Sequence, residues 1–294
     1  MKKTPILLVL AIVLLNGCAS VQPEILLTAE SVESPRQTPT SINSSTPEVP
    51  PTITSFPTPE KINPTSTATT VFVVQGPGDI VCPILLYHRI EDLDTENPYV
   101  LGVDDFRKEM ELLNERGYTT ITVTQLVKAI NFGEKLPERP IIISFDDGDI
   151  SVFNNAFPIM KKLNFIGVGY LVGNYVGASG YMDAEQIQKL AKRGWEFGSH
   201  TQSHIDLSEC KWCEYQVIQS KHNLEEMLGI RIETFAYPYG IITPKSLETV
   251  RNNYRGAMGL GVLTLQGPYN LFNLWRRPID NGTTIEMFES YLPW

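Results

Sequence analysis

From about Val81 onward, short apolar runs alternate with stretches whose apolar residues recur every three or four positions. A continuous run such as 141–145 predicts a strand that is buried on both faces of a sheet. The periodic stretches predict amphipathic helices, the first capped by Asp104 or Asp105 and ended at Gly117. The predicted strands are 83–87, 120–123, 141–145, 166–172, 195–198, 235–237, 257–260 and 274–277, and the predicted helices are 105–117, 126–130, 156–163, 184–192, 214–228 and 244–252.

Repeated strand–helix alternation predicts a parallel sheet of the α/β class. About seven strands over roughly 215 residues favour an irregular or incomplete (β/α) barrel, with an open doubly wound sheet as the alternative. In either architecture, functional side chains are expected at the carboxyl ends of the strands.

The N-terminal quarter of the chain has a different composition. Lys2 and Lys3 precede an apolar stretch, 6–15, that is too short for an ordinary membrane span, so residues 1–17 are predicted to be a signal peptide. The sequence 15–18 resembles a bacterial lipobox, which implies that Cys18 is lipidated and holds the exported chain at the outer face of a membrane. A plain secretory signal whose cysteine is incidental is the alternative. Residues 18–75 hold nine of the 21 prolines and many Ser and Thr, which predicts a disordered tether before a catalytic domain at 76–294.

Charge and cysteine content narrow the possible partners. A net charge of −9 gives no general attraction to nucleic acid, so nucleic acid is not expected as a partner. Separately, the chain is predicted to be a monomer. Cys210 and Cys213 have CxxC spacing, but no second CxxC exists to complete a structural zinc site. We therefore expect Cys210 and Cys213 to form a local disulfide or to be two free thiols. Cys82 is distant from both in the sequence.

Two acids and two histidines lie just after predicted strands. Asp146 and Asp147 directly follow the strand 141–145, where Asp146 could be a general base and Asp147 an oxygen ligand of a metal. The alternative is an acidic turn that caps the next helix. His200 and His204 follow the strand 195–198 and are half of the four histidines in the chain. Two imidazoles and the Asp147 carboxylate make a three-ligand set with an open position, as in catalytic zinc sites. A pair of surface histidines is the alternative.

Three segments together resemble the motifs of the NodB-type polysaccharide deacetylases of carbohydrate esterase family four. They are Ser144-Phe145-Asp146-Asp147-Gly148, His200-Thr201-Gln202-Ser203-His204 and Phe235-Ala236-Tyr237-Pro238-Tyr239-Gly240. The resemblance covers most of residues 80–280. It implies that Asp147, His200 and His204 hold a divalent metal, with zinc the first choice and cobalt, nickel or iron also suited to these ligands. It further implies that Asp146 is the base that accepts a proton from the attacking water, and that the backbone N–H of Tyr239 stabilises the oxyanion.

The chain departs from the family pattern at two places. Ala236 stands where the third motif usually has an arginine that steadies the base, and we predict that Arg277 replaces it while Arg276 faces solvent. No histidine follows His222, so the usual late histidine acid is missing. His88, just after the first strand, is predicted to supply the proton to the leaving amine. In both respects, the histidine after the first strand and the missing third-motif arginine, the chain resembles the exported poly-β-1,6-N-acetylglucosamine deacetylases.

The expected reaction is removal of N-acetyl groups from an extracellular, poly-N-acetylglucosamine-like polysaccharide. The alternatives are an O-acetyl esterase acting on a polymer such as xylan, a peptidoglycan or chitin deacetylase, and a tethered glycan-binding protein without activity. Among the aromatic residues, Tyr237 and Trp275 are the predicted sugar-stacking side chains.

Overall fold

A computed structural model of the chain describes residues 71–93 and 95–294. The predicted signal peptide, the Cys18 lipidation site and the tether as far as residue 70 lie outside the described residues. In the part that is described, no helix is both long enough and apolar enough to span a membrane.

The structure alternates strands and helices along the chain. The strands are β1 (Phe72–Val73), β2 (Ile80–Val81), β3 (Ile84–Tyr87), β4 (Arg89–Ile90), β5 (Val100–Leu101), β6 (Thr119–Thr120), β7 (Leu136–Pro137), β8 (Pro140–Phe145), β9 (Val168–Leu171), β10 (Glu196–Ser199), β11 (Thr234–Ala236), β12 (Gly256–Met258), β13 (Leu265–Gln266) and β14 (Arg277–Pro278). The α-helices are α1 (Val103–Glu115), α2 (Val123–Phe132), α3 (Phe157–Lys162), α4 (Ala184–Ala191), α5 (Ser220–Leu228), α6 (Pro244–Asn253) and α7 (Ile285–Ser290). Short 3-10 or π turns occupy Val152–Ala156, Gly173–Tyr175, Tyr215–Gln219, Pro238–Gly240 and Pro268–Asn270.

Seven parallel strands form one curled sheet in the order β12-β11-β10-β9-β8-β3-β14, with β6 pairing beside β8. A parallel bridge between Met258 and Leu274 links the segment before β14 back to β12, so the curl comes near to closing. The predicted incomplete (β/α) barrel is therefore confirmed. All six residues of β8 are buried, as its continuous apolar sequence predicted for a central strand.

Several element boundaries differ from the prediction for local reasons. Helix α1 is capped by Gly102, while Asp104 and Asp105 lie in its first turn, where they favour the positive end of the helix dipole. Strand β6 ends at Thr120 because Thr122 caps α2 in a capping box with Gln125. Helix α7 was not predicted, because its six residues are too few to show a periodicity.

The first described residues already belong to the domain. Strand β1 pairs antiparallel with β7, and the Gln75 side chain donates a hydrogen bond to the Pro137 carbonyl at 3.0 Å. Regular strand pairing therefore begins at Phe72, before the predicted start of the domain at residue 76.

All three described cysteines are free thiols, which decides between the two interpretations of the CxxC segment. Cys213 is buried, and its Sγ lies 2.9 Å from the carbonyl oxygen of Cys210. The third thiol, Cys82, is buried in the smaller core cluster under α2.

Candidate active site

Side chains from several strand ends converge on one cleft of about 400 Å³. Asp146 and Asp147 follow β8, His200 follows β10 and His88 follows β3, as expected for functional residues of a parallel sheet. The residues that line the cleft are Leu86, His88, Pro98, Tyr99, Asp146, Asp147, His200, His204, Tyr237, Tyr239, Gly240, Leu260, Arg276, Pro278, Ile279 and Asp280.

The arginine that meets Asp146 is Arg276. Its Nη1 and Nη2 donate to the two carboxylate oxygens of Asp146 at 2.6 and 2.8 Å, and its Nε donates to the Gly259 carbonyl at 3.2 Å. Only 1% of Arg276 is exposed, and its guanidinium lies 5.4 Å from the centre of the Tyr170 ring. This is the bidentate geometry in which an arginine–carboxylate pair is strongest.

The prediction that Arg277 steadies the base is therefore wrong, and so is the prediction that Arg276 faces solvent. Arg277 is partly exposed, stacks over Tyr291 at 4.3 Å and donates to the Val262 carbonyl. Successive residues of a strand point to opposite faces, so the two arginines cannot both reach Asp146. The structure places Arg276, which directly precedes β14, in the cleft.

Arg276 keeps Asp146 ionised although the carboxylate is buried. Burial alone would raise the pKa of Asp146, but the guanidinium of Arg276 and the neighbouring His200 outweigh it and lower the pKa to about 2. Asp146 is thus a buried carboxylate that stays charged near neutral pH and can accept a proton.

Asp147, His200 and His204 form a cluster of possible metal ligands. One ligand atom from each residue lies within 4.8 Å of the others. The Asp147 Oδ1 atom is 3.7 Å from Nε2 of His200 and 3.3 Å from Nε2 of His204. Ligands about 2.0–2.1 Å from a tetrahedral zinc lie about 3.3–3.4 Å apart, so the spacing suits such an ion.

The hydrogen bonds around the cluster leave acceptor atoms of Asp147 and His200 facing each other. Nδ1 of His200 is 2.8 Å from the Ala236 carbonyl oxygen, which can only accept, so the proton is assigned to Nδ1 and the lone pair to Nε2. Burial lowers the pKa of His200 to about 4, and burial also lowers the pKa of His204, so both rings are neutral near pH 7. Among the described residues, the buried Oδ1 of Asp147 has no hydrogen-bond partner. A divalent cation suits this set of donor atoms.

Left-handed backbone conformations concentrate at this cluster. Asp147, Thr201, His204 and Tyr239 have φ between 55° and 71°, and Asn164 is the one further non-glycine residue with positive φ in the described segments. Such conformations are uncommon for residues with a Cβ and persist where the surrounding structure holds them. Here they turn the loops after β8, β10 and β11 so that their side chains meet.

His88 lies in the same cleft, against an aromatic residue that the sequence did not indicate. Its ring centre is 4.7 Å from that of Tyr99, which is 56% exposed. Burial lowers the pKa of His88, while Asp146 and Asp147 act in the opposite direction. The position fits the predicted acid, whereas a lowered pKa does not favour a protonated ring at rest.

The predicted sugar-stacking residues have different outcomes. Tyr237 lines the cleft but is fully buried, and its hydroxyl has no partner among the described side chains and backbone groups. Trp275 is not among the cleft residues and packs against Tyr269, with ring centres 5.8 Å apart. The exposed aromatic rings in the cleft are those of Tyr99 and Tyr239.

Comparison with known proteins adds a family to this geometry. Residues 133–255 match the model of the polysaccharide deacetylase family, a range that includes the two aspartates, the two histidines and the third motif. The poly-β-1,6-N-acetyl-D-glucosamine N-deacetylase of Staphylococcus epidermidis is 24% identical over 198 residues, which cover 58% of this chain and 68% of that protein. The enzyme of the same name from Staphylococcus aureus is 27% identical, covering 57% and 67%. A polysaccharide deacetylase crystal structure from Bacillus cereus superposes with a TM-score of 0.66 and 26% identity, covering 72% and 69%.

Proposed function

Because this chain belongs to the polysaccharide deacetylases and carries their NodB-type domain, we propose that it removes N-acetyl groups from an extracellular, poly-N-acetylglucosamine-like polymer. The products would be acetate and a free amine on the polymer. One observation carries the proposal: a carboxylate paired with the buried Arg276 lies beside a ligand set of metal-site type, in a single cleft.

The charges of the cleft support a bound divalent cation. Asp146 and Arg276 offset one another, and both histidines are neutral, which leaves the Asp147 carboxylate without a counter-charge. Burial and the charge of Asp146 raise the pKa of Asp147 to about 6, so a cation held beside this partly buried carboxylate would stabilise its charged form. Asp147, His200 and His204 would hold the ion, zinc first and cobalt, nickel or iron next.

A cation held there would lower the pKa of a water molecule toward neutrality and would polarise the acetyl carbonyl. Asp146 would accept the proton of the attacking water, since Arg276 keeps its carboxylate charged. The backbone N–H of Tyr239 would donate to the oxyanion that forms on the acetyl group. His88 would protonate the leaving amine, a role that rests on its position in the cleft.

The branch of the family is proposed from two features. The curated relatives named above are poly-β-1,6-N-acetyl-D-glucosamine N-deacetylases. This chain also places in its cleft His88, the histidine that directly follows β3. Export and lipidation at Cys18 would hold a monomer at the outer face of a bacterial membrane, within reach of such a polymer.

The test is acetate release by the full chain from fully N-acetylated β-1,6-linked glucosamine oligomers, with acetylated xylan, chitin oligomers and peptidoglycan in parallel. We expect the β-1,6 oligomers to be the fastest substrate. Asp146→Asn should abolish acetate release while zinc binding persists, because Asn keeps the shape but accepts no proton. Faster release from acetylxylan would refute the N-acetyl assignment, and an active Asn variant would refute the base.

A further inference from the structure

Both histidines of the ligand cluster are contacted on their outer nitrogens, one by the last residue of β11 and the other by the turn that follows it. The Ala236 carbonyl oxygen is 2.8 Å from Nδ1 of His200, and the Tyr239 hydroxyl is 3.2 Å from Nδ1 of His204. We propose that the Tyr239 side chain is a positioning residue that orients His204 for the metal. This inference rests on the proposed function, because it needs a cation at the cluster.

The hydroxyl acts by holding the orientation of the His204 ring. A neutral imidazole carries one N–H and one lone pair, and a cation at one nitrogen leaves the N–H on the other. When Nε2 binds a cation, Nδ1 must carry the hydrogen, and the Tyr239 oxygen is placed to accept it. The Nε2 lone pair is then free for the ion that Nε2 would share with the Asp147 oxygen, 3.3 Å away.

His204 needs such a partner more than His200 does. His200 is 2% exposed and follows directly on a strand, so packing already limits its ring. His204 lies four residues beyond it, in a left-handed backbone conformation with φ of 55°, and its side chain is 19% exposed. A ring that is partly in solvent can rotate about its own axis and exchange the two nitrogens unless a hydrogen bond holds it.

Tyr239 has little other reason to be a tyrosine. Its ring is 58% exposed, so burial of apolar surface does not account for it. Its backbone is fixed independently by the Pro238–Gly240 turn, in which the Gly240 N–H donates to the Tyr237 carbonyl at 2.9 Å. The turn thus presents an exposed phenol to the imidazole edge-on, with ring centres 4.8 Å apart.

The side-chain role is separable from the backbone role proposed for the same residue. Tyr239→Phe removes the hydroxyl and leaves the ring, the backbone N–H and the turn in place. Tyr269→Phe is the matched control, because Tyr269 is also about half exposed, at 56%, and its hydroxyl donates to the Leu265 carbonyl at 3.0 Å, away from the cluster.

The experiment measures zinc affinity by competition with a chromophoric chelator, and the absorption spectrum of the cobalt-loaded protein. Loss of an outer partner of a metal-bound histidine typically weakens metal affinity about 10–100-fold. We expect that loss in Tyr239→Phe, with an altered cobalt spectrum, whereas Tyr269→Phe should stay within about twofold of wild type on the same reasoning. A Tyr239→Phe protein that binds zinc within about twofold of wild type would overturn the inference.

The outcomes separate this inference from the proposed function. If wild type and Tyr239→Phe bind zinc equally and both release acetate, the positioning role alone fails. If wild type binds no divalent metal, both fail together. Should Tyr239→Phe not fold, the Nδ1–H proton resonance of His204 in the zinc-loaded wild type decides: a proton protected from exchange by the Tyr239 oxygen is expected, and a proton in fast exchange with solvent would overturn the inference.

Discussion

Two adjacent arginines offer a matched pair of substitutions, Arg276→Met and Arg277→Met. Each removes the same charge and leaves an unbranched apolar side chain of similar reach. Arg276 is buried and binds both oxygens of Asp146, whereas Arg277 stacks on Tyr291 in a partly exposed position. If the assignment of Arg276 to the base is right, the two variants should behave very differently.

The expected difference follows from the environment that Asp146 keeps. The carboxylate is 3% exposed, and removing one partner of a buried ion pair typically costs about 3–5 kcal/mol of stability. Exposed pairs and stacking contacts are worth about 1 kcal/mol or less, so Arg277→Met should be nearly neutral. The pKa of Asp146, now about 2, should rise above its ordinary value in Arg276→Met because burial then acts without the guanidinium.

The contribution of Asp146 to folding stability should change with pH in opposite directions in the wild type and in Arg276→Met. In the wild type the folded pKa lies below the unfolded value of 3.8, so this stabilisation is present above about pH 4 and is lost as the pH falls toward 2. A tenfold change in proton affinity is about 1.4 kcal/mol, which makes the wild-type contribution on the order of 2 kcal/mol. In Arg276→Met the folded pKa lies above the unfolded one, so stability should instead fall as the pH rises past about 4.

Urea unfolding of chelator-treated protein between pH 2 and 8 measures this pH dependence of stability directly. Acetate release by zinc-loaded protein measures whether Asp146 still acts as the base. Arg276→Met should lose at least about 100-fold in acetate release at pH 7, since a positioned general base contributes about 10²–10⁴-fold. Arg277→Met should retain wild-type rates. A larger loss in Arg277→Met, or the same pH dependence in both variants, would refute the reasoning.

Two further predictions concern other parts of the domain. Burial raises the pKa of Glu109 to about 8 despite its hydrogen bond from the Tyr87 hydroxyl, so wild-type stability that is present below pH 4.5 should be lost as the pH rises through 8. Glu109→Gln should remove that loss, so the stability of the variant relative to wild type should rise by about 4 kcal/mol between pH 5 and pH 9 in urea unfolding; an equal difference at both pH values would contradict it. Tyr99→Ala should raise KM for the oligomers about three- to tenfold with less effect on kcat, and Tyr99→Phe should not, because an exposed ring in the cleft offers a stacking surface. An unchanged KM in the Ala variant would count against a sugar contact.

The fold class and the cluster of possible metal ligands could be predicted because both depend on local signals. A buried strand such as β8 is a continuous apolar run, and the residues after it are the ones that a parallel sheet brings to the functional edge. His200 and His204 follow β10 in the same way. Cleft residues carried by loops, such as Tyr99, have no periodicity that fixes where the side chain points, and Tyr99 was found only in the structure.

The two wrong predictions near the C-terminus have one cause. Trp275, Arg276 and Arg277 enter a strand of which only Arg277–Pro278 pairs regularly, so too few residues alternate to show which face is inward. We placed Trp275 and Arg277 in the cleft and Arg276 in solvent, and a shift of one residue reverses all three at once. The pattern of polarity also misleads, because a charged residue is normally assigned to the solvent face and Arg276 is buried only through Asp146, 130 positions away in the sequence. A buried, charged base needs a buried cation, but this need alone does not choose between Arg276 and Arg277; once Arg276 faces Asp146, the alternation turns Trp275 away from the cleft as well.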